Sequence, residues 1–410
     1  MLNMARLAGA CLLVLCLAGQ ALAGEPLVLG MSADFTGSSQ GLGMELYRGS
    51  MAYFQHVNEQ GGVHGRQVEI LAYDDQYNPT PAIENTIQLL DTDKVLLLFN
   101  YVGTPTVTRV LPLIKSYSGR KVYLFFPFTG AQPQREAPYD DYVFNLRASY
   151  RQETEGLVDH LVALGRERIA VFYQADAYGR SGWDGVKRGL AKYGLRIVGE
   201  ATYRRGAHYD ESMAAQVDII MDSQPHAVIS VGSYEACASF IRDARDAGLN
   251  VPIANLSFVG SENLLALLEA TGNDRGVDYT RDLINSQVVP SYEDLSLPAV
   301  REYRQFMDRY NPEPPRGYQG QDYDPLRYSF VSFEGFLNAK VMVHILENLG
   351  PDPRLADLAE VTESIHNHDI GIEVNVGFPQ ERHQGLNVVF YTTVEDGKFV
   401  PINDWGRWAQ

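Results

Sequence analysis

The sequence predicts an α/β protein with parallel sheets in two lobes. Apolar runs rich in Val, Ile, Leu and Phe alternate with helix-periodic segments over most of the 410 residues. That alternation marks strands covered on both faces by helices. A single sheet of a dozen parallel strands would be unusual, so the strands divide between two lobes. The stretch from Leu27 to Asp75 is itself a strand, Gly-rich loop, helix, turn and strand in succession.

At the start, Arg6 precedes a short apolar run at residues 7–17, and Ala21-Leu22-Ala23 fits a small-x-small cleavage site. Residues 1–23 are therefore expected to be a removable export signal, its apolar run too short to span a bilayer. Cys11 and Cys16 lie inside it, and neither follows a lipoprotein box. The expected product is a soluble, exported chain starting near Gly24.

Strand 27–31 leads into the loop Thr36 to Gly43, then helix 45–58, a Gly61-Gly62 turn and strand 67–72. A loop between a parallel strand and a helix turns N–H groups outward, so it is expected to hold an anion or a polar ligand head. Asp74-Asp75, just before Asn78-Pro79, is expected to serve the loop and cap the next helix. Further strands are predicted at 95–99, 122–126, 169–173, 227–231, 251–254 and 283–289, and helices at 153–164, 185–193, 213–221 and 235–247. Gly194 and Gly248 stand where helices hand over to strands. A polar, Pro-rich connection at 311–325 precedes a long helix at 328–349, which Gly350-Pro351 stops. Strands 386–393 and 398–402, joined at Asp396-Gly397, form a hairpin.

The net charge of −17 disfavours nucleic acid and anionic membrane as partners, while leaving room for a locally positive site. Behind the signal, Cys237 stands alone, so no internal disulfide forms, and its small neighbours suit a buried thiol. The chain has no phosphate-loop Lys, His-Glu-x-x-His, paired-Cys motif or Gly-x-Ser-x-Gly elbow. His366 and His368 are read as part of a solvated loop rather than a metal site. An exported enzyme is disfavoured, and no cofactor or metal is expected.

The binding candidates are loops at strand C-ends, where open α/β sheets place ligands. They are Thr36 to Gly43, Tyr101 to Thr106 (with Gly103 and Thr104), and Phe128 to Ala131 (with Thr129 and Gly130). Thr104 is placed to cap a helix with Pro105 in its first turn, a role compatible with binding. Tyr101, Phe128, Tyr178 and Tyr234 all fall near strand ends and suggest an aromatic-lined cleft.

Taken in order, these motifs resemble the type I periplasmic binding proteins of the branched-chain amino-acid (Leu/Ile/Val-binding) family of ABC transporters. The residues that carry the resemblance are Thr36-Gly37, Gly61-Gly62-Val63-His64-Gly65-Arg66, Asp74-Asp75, Gly103-Thr104-Pro105, Thr129-Gly130-Ala131, Ala177-Tyr178-Gly179, Ala244-Arg245-Asp246-Ala247-Gly248-Leu249 and Phe333-Glu334-Gly335. The resemblance implies two Rossmann-like lobes on a three-segment hinge, with a ligand in the interlobe cleft and closure by hinge bending. The lobes implied are 24–146 plus 290–371 and 147–289 plus 372–410. It further implies a non-enzymatic protein that captures a small polar or carboxylate-bearing metabolite, an amino acid or a related or aromatic compound, and delivers it to a membrane permease. An alternative is signalling to a membrane kinase or cyclase. Gly103-Thr104 and Thr129-Gly130 match the family's carboxylate-holding loops, and Tyr178 and Tyr234 its second-lobe contacts. Leu42 stands where many relatives place an aromatic. Arg147 and Tyr150 sit at the first crossover, within reach of the ligand or packed in the hinge.

One departure affects the ligand. Relatives that bind amino acids place an acidic residue where this chain has Ser257, and a buried ammonium without an anionic partner is costly. Either Asp176, Glu235 or Glu262 takes that part, or the ligand is not an α-amino acid; the second is favoured.

Overall fold

The computed structural model describes residues 24–320 and 323–410. The predicted export signal lies outside the described residues. The first sheet holds β1 (Gly24–Ala33), β2 (Arg66–Asp74), β3 (Leu97–Phe99), β4 (Leu124–Phe125) and β5 (Val143–Phe144), all parallel, in the order β2-β1-β3-β4-β5. Its helices are α1 (Gln40–Glu59), α2 (Pro79–Ile87) and α3 (Thr104–Ser116).

The chain then crosses to a second sheet through α4 (Tyr150–Ala163). That sheet holds β6 (Ile169–Gln174), β7 (Gly199–Tyr203), β8 (Ala227–Val231), β9 (Ile253–Asn255) and β10 (Leu283–Gln287), interleaved with α5 (Ala177–Ala191), α6 (Ala214–Asp222), α7 (Tyr234–Asp246) and α8 (Ser261–Arg275). The chain returns for α9 (Pro298–Tyr310), α10 (Phe330–Leu349) and α11 (Leu358–Glu363), where α10 packs along α1. A small ribbon of β11 (His368–Asp369) and β12 (Asn375–Val376) follows. A third crossing adds β13 (Phe390–Glu395), antiparallel to β10, and β14 (Lys398–Pro401), antiparallel to β13, giving the order β14-β13-β10-β9-β8-β6-β7. The hairpin turns at Asp396 and Gly397, both at positive φ (49° and 71°), as Asp-Gly turns do.

Several elements differ in extent from the sequence expectation, for local reasons. β3 and β4 each begin two residues later than their apolar runs, and β4 ends one residue earlier, where Phe126 takes φ of 54°. α4 starts at Tyr150 because Ser149 and Gln152 form a reciprocal capping box. α5 starts at Ala177, not near 185, because the Asp176 carboxylate accepts the Tyr178 N–H at 2.9 Å. Its glycines are close-packing positions: a Cβ on Gly182 would lie 2.5 Å from Val231 Cγ1. His368 lies in β11 rather than in a loop, stacked on His344 at 3.8 Å. Among the described residues, no group of His, Cys, Asp or Glu is arranged to hold a metal, and no helix is long and apolar enough to cross a membrane.

Candidate functional site

Strand order reverses at β1/β3 in the first sheet and at β6/β8 in the second. Loops leaving such a pair diverge and open a crevice at the strand C-ends. The loops after β1, β3, β6 and β8 meet there, and the loops after β4 and β9 join them.

The loop after β1 does not present its N–H groups to solvent, contrary to the sequence expectation. The Asp34 carboxylate accepts the Gly37 N–H at 2.6 Å and the Ser39 N–H at 2.9 Å. Asp74 accepts the Phe35 N–H at 2.8 Å. The helix-start anion position is thus filled by the protein's own side chain, and burial pushes the Asp34 carboxyl up to about 6. Asp75 accepts from Ser32 Oγ at 2.8 Å and from the Tyr77 N–H at 3.0 Å, and Asn78 caps α2.

Gly103, at φ 106°, is the residue that caps α3, and its N–H donates to Phe128 O at 3.2 Å. Thr104 is therefore the first residue of the helix rather than its cap, and its hydroxyl lies 2.6 Å from that of Thr129. Both threonines are fully buried. The Gly130 carbonyl accepts the Tyr150 N–H at 2.7 Å. A Cβ on Gly130 would stand 2.5 Å from Tyr150 Cδ1, so this loop fits the tyrosine only because it carries glycine. The Tyr150 hydroxyl is buried without a hydrogen-bond partner and faces the Thr104 and Thr129 hydroxyls.

Aromatic rings from both sheets close around this point. Tyr150 and Tyr178 have centroids 5.2 Å apart, and Tyr178 and Phe258 4.6 Å. Phe258 in turn packs on Phe128 at 5.4 Å and on Tyr77 at 6.0 Å. Tyr77 Oη accepts from Gln174 Nε2 at 3.3 Å, which ties the β2–α2 loop to the end of β6. Tyr234 Oη accepts the Gly41 N–H at 3.3 Å. Leu42 is fully buried and faces Gly260, whose Cβ, if present, would lie 2.8 Å from Leu42 Cδ2.

Arg147 forms the floor, 2% exposed. Its guanidinium lies 4.5 Å over the Phe128 ring and donates to Ser257 Oγ. Glu153 and Glu334 stand 3.8 and 3.7 Å away, within ion-pair range but beyond hydrogen-bond distance. Nε and Nη1 have no acceptor. Burial opposes the guanidinium charge, yet Glu334, Tyr150 and Glu153 together hold its value above the ordinary. Burial pushes the Glu334 carboxyl up to about 7 against the pull of Arg147. Arg135 braces the same loops from behind, donating to Ala131 O at 2.8 Å and Arg147 O at 3.0 Å. A crevice of about 170 Å³, lined by Gly130, Tyr150, Arg151 and Arg180 among others, opens beside Tyr150.

Leu42, Gly103, Thr104, Phe128, Thr129, Gly130, Arg147, Tyr150, Tyr178, Tyr234 and Ser257 thus lie on adjoining loops and first helix turns. Tyr101 is not brought there. It is buried under α2 and α3, its hydroxyl 3.0 Å from Thr86 Oγ1. None of the three carboxylates weighed as substitutes stands at Ser257. Asp176 caps α5, Glu235 accepts the Tyr209 N–H at 3.1 Å, and Glu262 accepts the Phe330 N–H at 3.2 Å. Glu153 stands there instead, accepting Ser257 N–H at 2.8 Å and Ser286 Oγ at 2.6 Å. Sequence reasoning also missed Tyr77, Phe258 and Gln174. Phe258 and Tyr77 follow residues it did single out, Ser257 and Asp75.

The sequence profile of the Periplasmic binding protein family matches residues 26–398. An amino acid binding protein of Pseudomonas aeruginosa is 26% identical over 226 residues, which cover 54% of this chain and 58% of that protein, so this match spans little more than half the relative. Leu/Ile/Val-binding protein homolog 7 of Brucella melitensis is 22% identical over 94% of this chain and 93% of its own length. The crystal structure of a possible leucine/isoleucine/valine-binding protein from Rhodopirellula baltica superposes with a TM-score of 0.83 at 29% identity, covering 96% of this chain and all of that one. The crevice between two parallel sheets and these likenesses lead to one assignment: the chain belongs to the type I periplasmic binding proteins of the branched-chain amino-acid family.

Proposed function

We propose that this protein captures a small carboxylate-bearing metabolite in the cleft and hands it to an ABC-transporter permease without chemical change. The observation that carries the reading is the Tyr150 hydroxyl, buried against the Thr104–Thr129 pair without a full hydrogen bond to either. A buried polar group left unpaired costs roughly 1–3 kcal/mol, so this trio is built to receive an acceptor group from a ligand. Tyr178, Phe258 and Phe128 supply apolar walls, and Leu42 and Tyr234 close the far side. Residues 24–146 with 290–371 and residues 147–289 with 372–410 act as the closing lobes. The chain is exported by cleavage after Ala23.

The test is a thermal-shift screen of amino acids, short carboxylates, aromatic acids and purines. A ligand that binds the native state alone at a hundred times its Kd adds about 2.7 kcal/mol of apparent stability. A carboxylate hit recovered unchanged after incubation supports the reading. Turnover of the hit would replace it with an enzymatic one.

A further inference from the structure

The charges under the cleft carry a statement about the ligand's second polar group. Arg147 is a buried cation with two nitrogens, Nε and Nη1, that have no acceptor. A guanidinium has donors only and cannot satisfy itself. Its nearest carboxylates do not solve this. Glu153 already takes hydrogen bonds from Ser257 N–H, Ser257 Oγ and Ser286 Oγ, and Glu334 stays 3.7 Å from Nε. An ammonium entering here would meet a fixed cation, and Glu334, the one neighbouring carboxylate that accepts no hydrogen bond, already faces that cation at 3.7 Å.

We infer that Arg147 is a specificity-determining residue, which selects ligands whose second polar group is an acceptor, as in 2-oxo acids and dicarboxylates, over α-amino acids. This rests on the cleft reading above. The first carboxylate meets Thr104, Thr129 and Tyr150, and the acceptor meets Arg147 Nε or Nη1. Bidentate pairing of guanidinium and carboxylate favours such a match.

The experiment is calorimetric titration of the full mature chain with matched pairs: 4-methyl-2-oxopentanoate against L-leucine, phenylpyruvate against L-phenylalanine, and 2-oxoglutarate against L-glutamate. At least one oxo acid is expected to bind ten-fold or more tightly than its amino partner. Arg147→Lys keeps the charge, loses the fork, and should erase most of that preference. If Arg147→Lys fails to fold, the wild-type preference alone decides. An amino acid binding more tightly than its oxo partner overturns the inference and leaves the carboxylate cleft standing. Binding of neither member of any pair overturns the cleft reading itself, and the inference with it.

Discussion

The hydroxyls of Thr104, the first residue of α3, and Thr129, on the loop after β4, lie 2.6 Å apart. Two hydroxyls at that distance share one proton between them, which leaves the second free to donate to a ligand oxygen. Replacing either with Val removes that donor while nearly keeping the shape. Thr104→Val and Thr129→Val are each expected to weaken ligand binding by about ten-fold or more, the scale of a hydrogen bond to a charged acceptor. Melting temperatures should change little. Unchanged affinity in both variants, by calorimetry, would show that the site lies elsewhere.

Tyr178 touches the cleft rings from the second sheet, with Tyr150 on one side and Phe258 on the other. Tyr178→Ala should cost at least ten-fold in affinity, since a buried aromatic anchor is lost. Tyr178→Phe should cost little, because its hydroxyl reaches only Gly232 O, at 3.5 Å. Equal losses in the two variants would mean that the hydroxyl, not the ring, makes the contact.

Glu334 gives the protein a pH dependence. Its carboxyl rises from 4.5 to about 7 in the fold, chiefly through burial, opposed by Arg147 and reinforced by Glu153, with Arg135 also facing it. Between those values the folded form binds more protons than the unfolded one, so stability falls as pH rises through this window. Glu334→Gln should remove that part of the decline. Melting curves at pH 5 and pH 8 check this, and an equal decline in wild type and variant would refute it. An anionic ligand that takes Arg147 from Glu334 should also bind with proton uptake near pH 7. Titration in buffers of different ionisation enthalpy measures that uptake.

Cys237 is fully buried beside Ser230 Oγ at 3.1 Å, and burial pushes its thiol up to about 12. A thiolate is the reactive form. A disulfide reagent should leave the native protein unlabelled at pH 8 and label one thiol per mature chain once it is denatured. Rapid labelling of the native protein would contradict this burial.

Much of this site is legible in sequence because strand C-ends announce themselves through Gly, Thr and Pro. Thr104, Thr129 and Tyr178 could be placed that way. The rest depends on tertiary geometry. Tyr101 looks equivalent to Phe128 in sequence, but Val102 is the residue that pairs with Phe128, and Tyr101, one residue earlier, packs under the helices. The opening loop reads as an anion site, and it is one, but Asp34 fills it from within the same loop. Glu153 sits over a hundred residues from Ser257, and no local pattern announces their pairing. α4 and α5 begin ahead of their periodic stretches because Ser149 and Asp176 cap them and the close-packed glycines of α5 offset its low helix propensity.

The most direct measurement is a crystal structure of the protein with the ligand recovered from the screen. The expected density places a ligand carboxylate within hydrogen-bond distance of Thr104 Oγ1 or Thr129 Oγ1, with Tyr150 Oη as a further partner and the Tyr178 ring against the ligand body. A ligand bound outside the crevice between the two sheets, or one that leaves the Tyr150 hydroxyl and both threonines untouched, would contradict the account.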